Sequence, residues 1–171
     1  MISDTAVSTA PILLIGYGND LRGDDGAGRR IADAVKAWRR QDVRVISVHQ
    51  LTPDLASEVA RASAVIFVDA YLAIERDGVQ VIPLEPTPGT GAVPSTGPVG
   101  HSGDPRRLLK IADALYGSAP AAWSVTIPAV RMGFGEQLSM VAERGVACAL
   151  FEIARIIEER AVESTRTAVA A

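Results

Sequence analysis

The sequence predicts a single three-layer α/β/α domain around a mostly parallel sheet of about five strands, and three observations predict it. A short apolar run, 11–15, passes through a glycine-rich turn into 27–38, where Ala27, Ile31, Ala34, Val35 and Trp38 recur at helical spacing. Strand, turn and helix in that order open a βαβ unit. The run 64–68 is continuously apolar, without alternation, as in a central parallel strand covered on both faces. Strand-like and helix-like stretches then follow to the end of the chain with no internal repeat and no linker composition, and 171 residues suit one core better than two.

Taken in order, residues 1–10 read as a loose leader and 11–15 as the first strand. Residues 43–48, with Val43, Val45, Ile46 and Val48, read as the second. Thr52-Pro53-Asp54 pairs an N-cap residue with proline at the first helical position, and Leu55, Val59 and Ala62 mark the buried stripe of a short helix. The third strand, 64–68, ends at Asp69, where open α/β sheets place their ligands. After the Asp77-Gly78 turn, 79–84 is a fourth strand, expected antiparallel because 71–78 is too short for a crossover helix. Residues 85–100, rich in Pro, Gly, Thr and Ser, form an irregular loop leading to His101. Asp104-Pro105 starts a helix that buries Leu108, Leu109, Ala112 and Leu115 and stops at Gly117. A fifth strand over 123–128 precedes a second glycine loop. Ser139 caps a last helix with Val146, Leu150, Ile153 and Ile157 inward, and the tail beyond Arg160 is expected to fray.

Composition narrows the function classes. With 48% hydrophobic and 22% charged residues the chain reads as globular, and a net charge of −3 argues against nucleic acid as partner. No apolar run approaches the roughly 20 residues that cross a bilayer. The first ten residues lack the basic start of a secretory signal, so a cytoplasmic protein is expected. The lone Cys148 rules out an internal disulfide or a CxxC metal site; it reads as a small core residue, and Trp38 and Trp123 likewise read as core. Arg29-Arg30 reads as a solvated helix face.

The glycine turn does not suit a nucleotide. After Gly16 and Gly18 the third fingerprint position is Leu21, no phosphate loop occurs elsewhere, and Asp24 and Asp25 would repel a pyrophosphate at the helix N-terminus. Carboxylates on a tight turn suit a cation better. By position, Asp25, Asp69 and His101 make a set of two carboxylates and an imidazole for a borderline divalent ion with open positions. Each also has an ordinary reading: Asp25 as a helix cap, Asp69 as a strand-end turn, His101 as a loop histidine. Serine-elbow, HExxH and paired D-[ST]-G motifs are absent from the sequence, and Cys148 is poorly placed for attack.

The run Gly16-Tyr17-Gly18-Asn19-Asp20-Leu21-Arg22-Gly23-Asp24-Asp25-Gly26-Ala27-Gly28 resembles the N-terminal motif of the hydrogenase maturation proteases. The resemblance continues through His49-Gln50-Leu51-Thr52-Pro53-Asp54-Leu55, Val65-Ile66-Phe67-Val68-Asp69-Ala70, His101-Ser102-Gly103-Asp104-Pro105 and Gly135-Glu136-Gln137-Leu138-Ser139. It implies a phosphorylase/hydrolase-like α/β/α sandwich with one antiparallel strand. It also implies an aspartic-type endopeptidase that removes the C-terminal extension of the nickel-loaded [NiFe]-hydrogenase large-subunit precursor. By this resemblance Asp25, Asp69 and His101 bind metal, with aspartate at 25 where some members carry glutamate. Asp24 becomes structural, tying the turn. His49, near the end of the second strand, is a rival ligand but is assigned a hydrogen-bonding or substrate-facing role, and Gly135 and Glu136 belong to a loop that grips the substrate. Nickel arrives with the substrate and no tightly resident metal is expected; no catalytic nucleophile is assigned. The implied partner is the large-subunit precursor, met by a monomer without nucleic acid or membrane. A non-catalytic nickel-recognition or chaperone module on the same fold is the alternative.

Overall fold

The computed structural model describes residues 10–73, 78–85 and 103–170, the last four of these as backbone only. Its strands are β1 (Ile12–Tyr17), β2 (Val43–Val48), β3 (Ala64–Leu72), β4 (Gln80–Leu84) and β5 (Ala121–Ala129). They form one sheet in the order β2-β1-β3-β5-β4. All neighbours run parallel except β4, which lies antiparallel to β5. The helices are α1 (Ala27–Lys36), α2 (Ala56–Ala60), α3 (Pro105–Tyr116) and α4 (Met140–Ala170), with 3₁₀ turns at Gly23–Gly26 and Pro53–Leu55.

Alternation along the strands assigns the two covering layers. Ile12 and Leu14 of β1, Ile66 and Val68 of β3, and Val125 and Ile127 of β5 pack with α1 and α4. Leu13, Ile15 and Tyr17 of β1, with Val65 and Phe67 of β3, pack with α2 and α3. Both faces of the central strands are therefore dry, which is why 64–68 reads as an unbroken apolar run. After β1 the chain turns outward to β2, then returns past β1 to β3, so the topological switch point falls between β1 and β3.

Several expectations are corrected by the packing. Trp38 is 38% exposed, because α1 ends at Lys36 and the helical spacing runs on past the helix. Cys148 is exposed: the buried stripe of α4 passes through Ala142, Ala149, Ile153 and Ile157, one position away. Leu115 is 69% exposed in the last turn of α3, and Trp123 is half-buried, its ring under the Arg160 guanidinium. Thr52 makes no side-chain cap bond. Beyond Arg160 helix α4 continues to Ala170, with an Arg160–Glu163 ion pair and the Thr165 hydroxyl donating to the Ala161 carbonyl at 2.9 Å. Gly117 does end α3, in the left-handed conformation, and among the described residues no helix is long and apolar enough to cross a membrane.

Candidate functional site

The two carboxylates singled out in the sequence both lie at the switch point, near enough for the Asp25 charge to act on Asp69, and the turn after β1 explains how. Gly18 has a φ of +135°, and a Cβ there would lie 1.9 Å from the Asp25 carbonyl oxygen. At Gly28 a Cβ would sit 2.4 Å from the Val68 carbonyl oxygen and 2.5 Å from that of Tyr17. The bare backbone at both places seats the first turn of α1 directly on the ends of β1 and β3. Asp25 is carried there half-buried, its Oδ2 accepting the Asn19 amide at 3.2 Å.

Asp69 is not the end of its strand, as the sequence suggested. β3 runs on to Leu72 by pairing with β5, whereas pairing with β1 stops at Gly16–Val68. Asp69 is thus the first residue of β3 beyond its pairing with β1, level with Tyr17 and at the crevice that opens there. Its Oδ1 accepts the Ala70 amide at 2.8 Å, and the buried Tyr17 phenol lies beside it, close enough to favour the charged carboxylate. Burial pushes its pKa up to about 7; the Ala70 amide opposes the rise, the nearby Asp25 charge adds to it, and Tyr17 opposes it. Burial holds the Tyr17 phenol well above its ordinary value, helped by the charges of Asp69 and of Asp104 at the start of α3.

Asp24 does another job. It is fully buried. Its Oδ2 accepts the Val130 and Arg131 amides, each at 2.9 Å, and the Ser139 hydroxyl at 2.8 Å; Oδ1 accepts the Ser139 amide at 2.6 Å. Burial alone would raise this carboxyl, but the bonds from Ser139, Val130 and Arg131 outweigh it and hold the pKa below the usual range. The structural role expected of Asp24 holds, although its partners lie in the loop between β5 and α4 and not in its own turn. Gly23 donates to the Gly135 carbonyl at 2.6 Å and Gly135 to that of Leu21 at 2.9 Å, so the two glycine loops are laced together. Ser139 also caps α4, its hydroxyl accepting the Ala142 amide at 3.2 Å.

Of the remaining candidates, only His49, Gly135 and Glu136 fall among the described residues. His101 lies outside the described residues, as do 86–100 of the irregular loop. His49 is exposed at the end of β2, where its carbonyl accepts the Gly18 amide at 3.2 Å. Gly135 acts through its backbone. Exposed Glu136 lines a cleft between the two loops with Asp20, Gly23, Gly26, Arg30, Asp33 and Leu138. Among the described residues no group of three or more His, Cys, Asp or Glu side chains is arranged to hold an ion. Sequence reasoning passed over Tyr17, whose position next to Asp69 depends on strand register. It also passed over Phe134, 95% exposed at the tip of the second loop, for which an aromatic residue between two glycines was the available signal.

This arrangement has solved relatives. [NiFe] hydrogenase maturation protease HycI from Thermococcus kodakarensis KOD1 superposes with a TM-score of 0.66 at 23% identity, covering 89% of this chain and 95% of that one. The hydrogenase maturating endopeptidase HybD from E. coli gives 0.64 at 20% identity, covering 87% and 93%. The fold is that of the hydrogenase maturation proteases. The hydrogenase 2 maturation peptidase from a Thaumarchaeota archaeon agrees, at 0.63 and 22% identity, covering 86% of this chain and 98% of that one. No family model matches the sequence, and no curated protein does. The chain matches more than nine-tenths of each of these structures.

Proposed function

We propose that this chain is an endopeptidase that removes the C-terminal extension from the nickel-loaded large-subunit precursor of a [NiFe]-hydrogenase. The observation that carries the reading is the convergence of Asp25 and Asp69 on the β1/β3 crevice of a maturation-protease fold. Two hard carboxylates hold a free divalent ion weakly. An ion already bound in the precursor brings its own ligands and peptide surface, which raises its effective concentration at the crevice. The carboxylates then complete its coordination and in doing so place the tail for hydrolysis by water.

His101 is the proposed third ligand. Gly103 packs against the Leu51 carbonyl, to which a Cβ would approach within 2.5 Å, and the Asp104 charge reaches Tyr17 beside Asp69. His101 is two residues from Gly103, a span of at most about 7 Å. His49, Glu136 and the laced loop bearing Phe134 supply contacts to the substrate. The protein is taken to act as a cytoplasmic monomer, with nickel as cargo of the substrate.

The test offers nickel-free and nickel-loaded precursor side by side at substoichiometric enzyme. Mass spectrometry is expected to show loss of a C-terminal peptide from the loaded form alone. Equal cleavage of both overturns recognition through nickel, and stoichiometric capture without cleavage indicates a chaperone.

A further inference from the structure

A buried tyrosine hydroxyl must find a partner, and the register of the sheet decides which one it finds here. The last β1–β3 pair is Gly16–Val68, so Tyr17 and Asp69 are the next residues along two parallel neighbours. Alternation sends Leu13, Ile15 and Tyr17 of β1, and Val65 and Phe67 of β3, into the layer of α2 and α3. Asp69 continues that alternation. The two side chains therefore share a face, and the Tyr17 ring, 3% exposed, is packed in the same cluster as Leu51 and Leu55.

We propose that Tyr17 is a positioning residue for Asp69. The Ala70 amide holds the carboxylate at Oδ1, and the Tyr17 hydroxyl, fixed by the ring's packing at the neighbouring position across the sheet, supplies the second point. A carboxylate so held cannot rotate freely about its last bond, and it keeps its remaining lone pairs turned to the crevice it shares with Asp25. Tyr17 needs no contact with the substrate to do this. The inference rests on the function proposed above and adds a residue through which the site acts.

The experiment measures binding and turnover of nickel-loaded precursor by wild type, Tyr17→Phe, Asp69→Asn and the double variant. Tyr17→Phe keeps the ring and removes the donor, so thermal unfolding is expected to stay within a few degrees of wild type. Loss of a hydrogen bond to a charged group predicts a Kd and KM about 10- to 100-fold weaker, with kcat little changed, because the carboxylate meets the ion in ground and transition states alike. In the Asp69→Asn background the same change is expected to cost less than about 2-fold, since the group it acts through has lost its charge. Equal fold-losses in the two backgrounds, or wild-type KM for Tyr17→Phe, would overturn the proposal. Failure of wild type to process the loaded precursor overturns instead the function on which it rests.

Discussion

In the Asp69→Asn variant the shape of the side chain and its acceptor for Ala70 and Tyr17 can be retained while its charge is removed. The carboxyl titrates at about 7 in the folded protein, chiefly because it is buried, against about 3.9 in an unfolded chain. Between those values the folded state keeps a proton that the unfolded state releases, so stability falls as pH rises from about 4 to 7 and levels off above. At about 1.4 kcal/mol per pH unit the part of this loss between pH 5 and 8 is at most about 2–3 kcal/mol, an upper bound because the carboxylate keeps partial contact with water. Asparagine does not titrate, and the other ionising groups are common to both proteins. The stability of Asp69→Asn relative to wild type should therefore grow by up to that amount from pH 5 to pH 8, a divergence of about 4–10 °C in Tm for a chain of this size. Urea or thermal unfolding at the two pH values measures it. Processing by the same variant is expected to fall sharply, as when a site is kept at the expense of stability. A stability difference that is the same at both pH values would refute the reasoning.

Asp24→Asn should behave oppositely, losing about 2–4 kcal/mol at neutral pH because one oxygen and the charge that accept four hydrogen bonds are gone. The lowered pKa of Asp24 makes its contribution present above about pH 4 and lost as pH falls through the folded value, so acid unfolding of the variant should lack that component. Its processing, measured where it stays folded, should exceed that of Asp25→Asn; the reverse order would exchange the two roles. Phe134→Ala, at a residue 95% exposed, should leave stability within about 0.5 kcal/mol while raising KM for the precursor; an unchanged KM would remove the second loop from the substrate surface.

Periodicity and turn chemistry by themselves determined the layers, the five strands and the antiparallel β4, because a dry central strand, a crossover helix and a short connection each leave a local mark. They also set Asp25 and Asp69 where open sheets bind ligands, whereas the separate roles of Asp25 and Asp24 came from the resemblance to the maturation proteases. Tertiary structure decided what local marks do not encode. Asp24 spends all its bonds on Val130, Arg131 and Ser139, a loop remote in sequence, and the spacing of the turn says nothing of that loop. Trp38 and Cys148 look like core residues by composition, but where α1 stops and how α4 is rotated about its axis left them at the surface. Tyr17 reads in sequence as one residue between two glycines. Only the register of β1 on β3 brings its hydroxyl to Asp69, because side-chain partners across a sheet follow from strand pairing and not from neighbours in the chain.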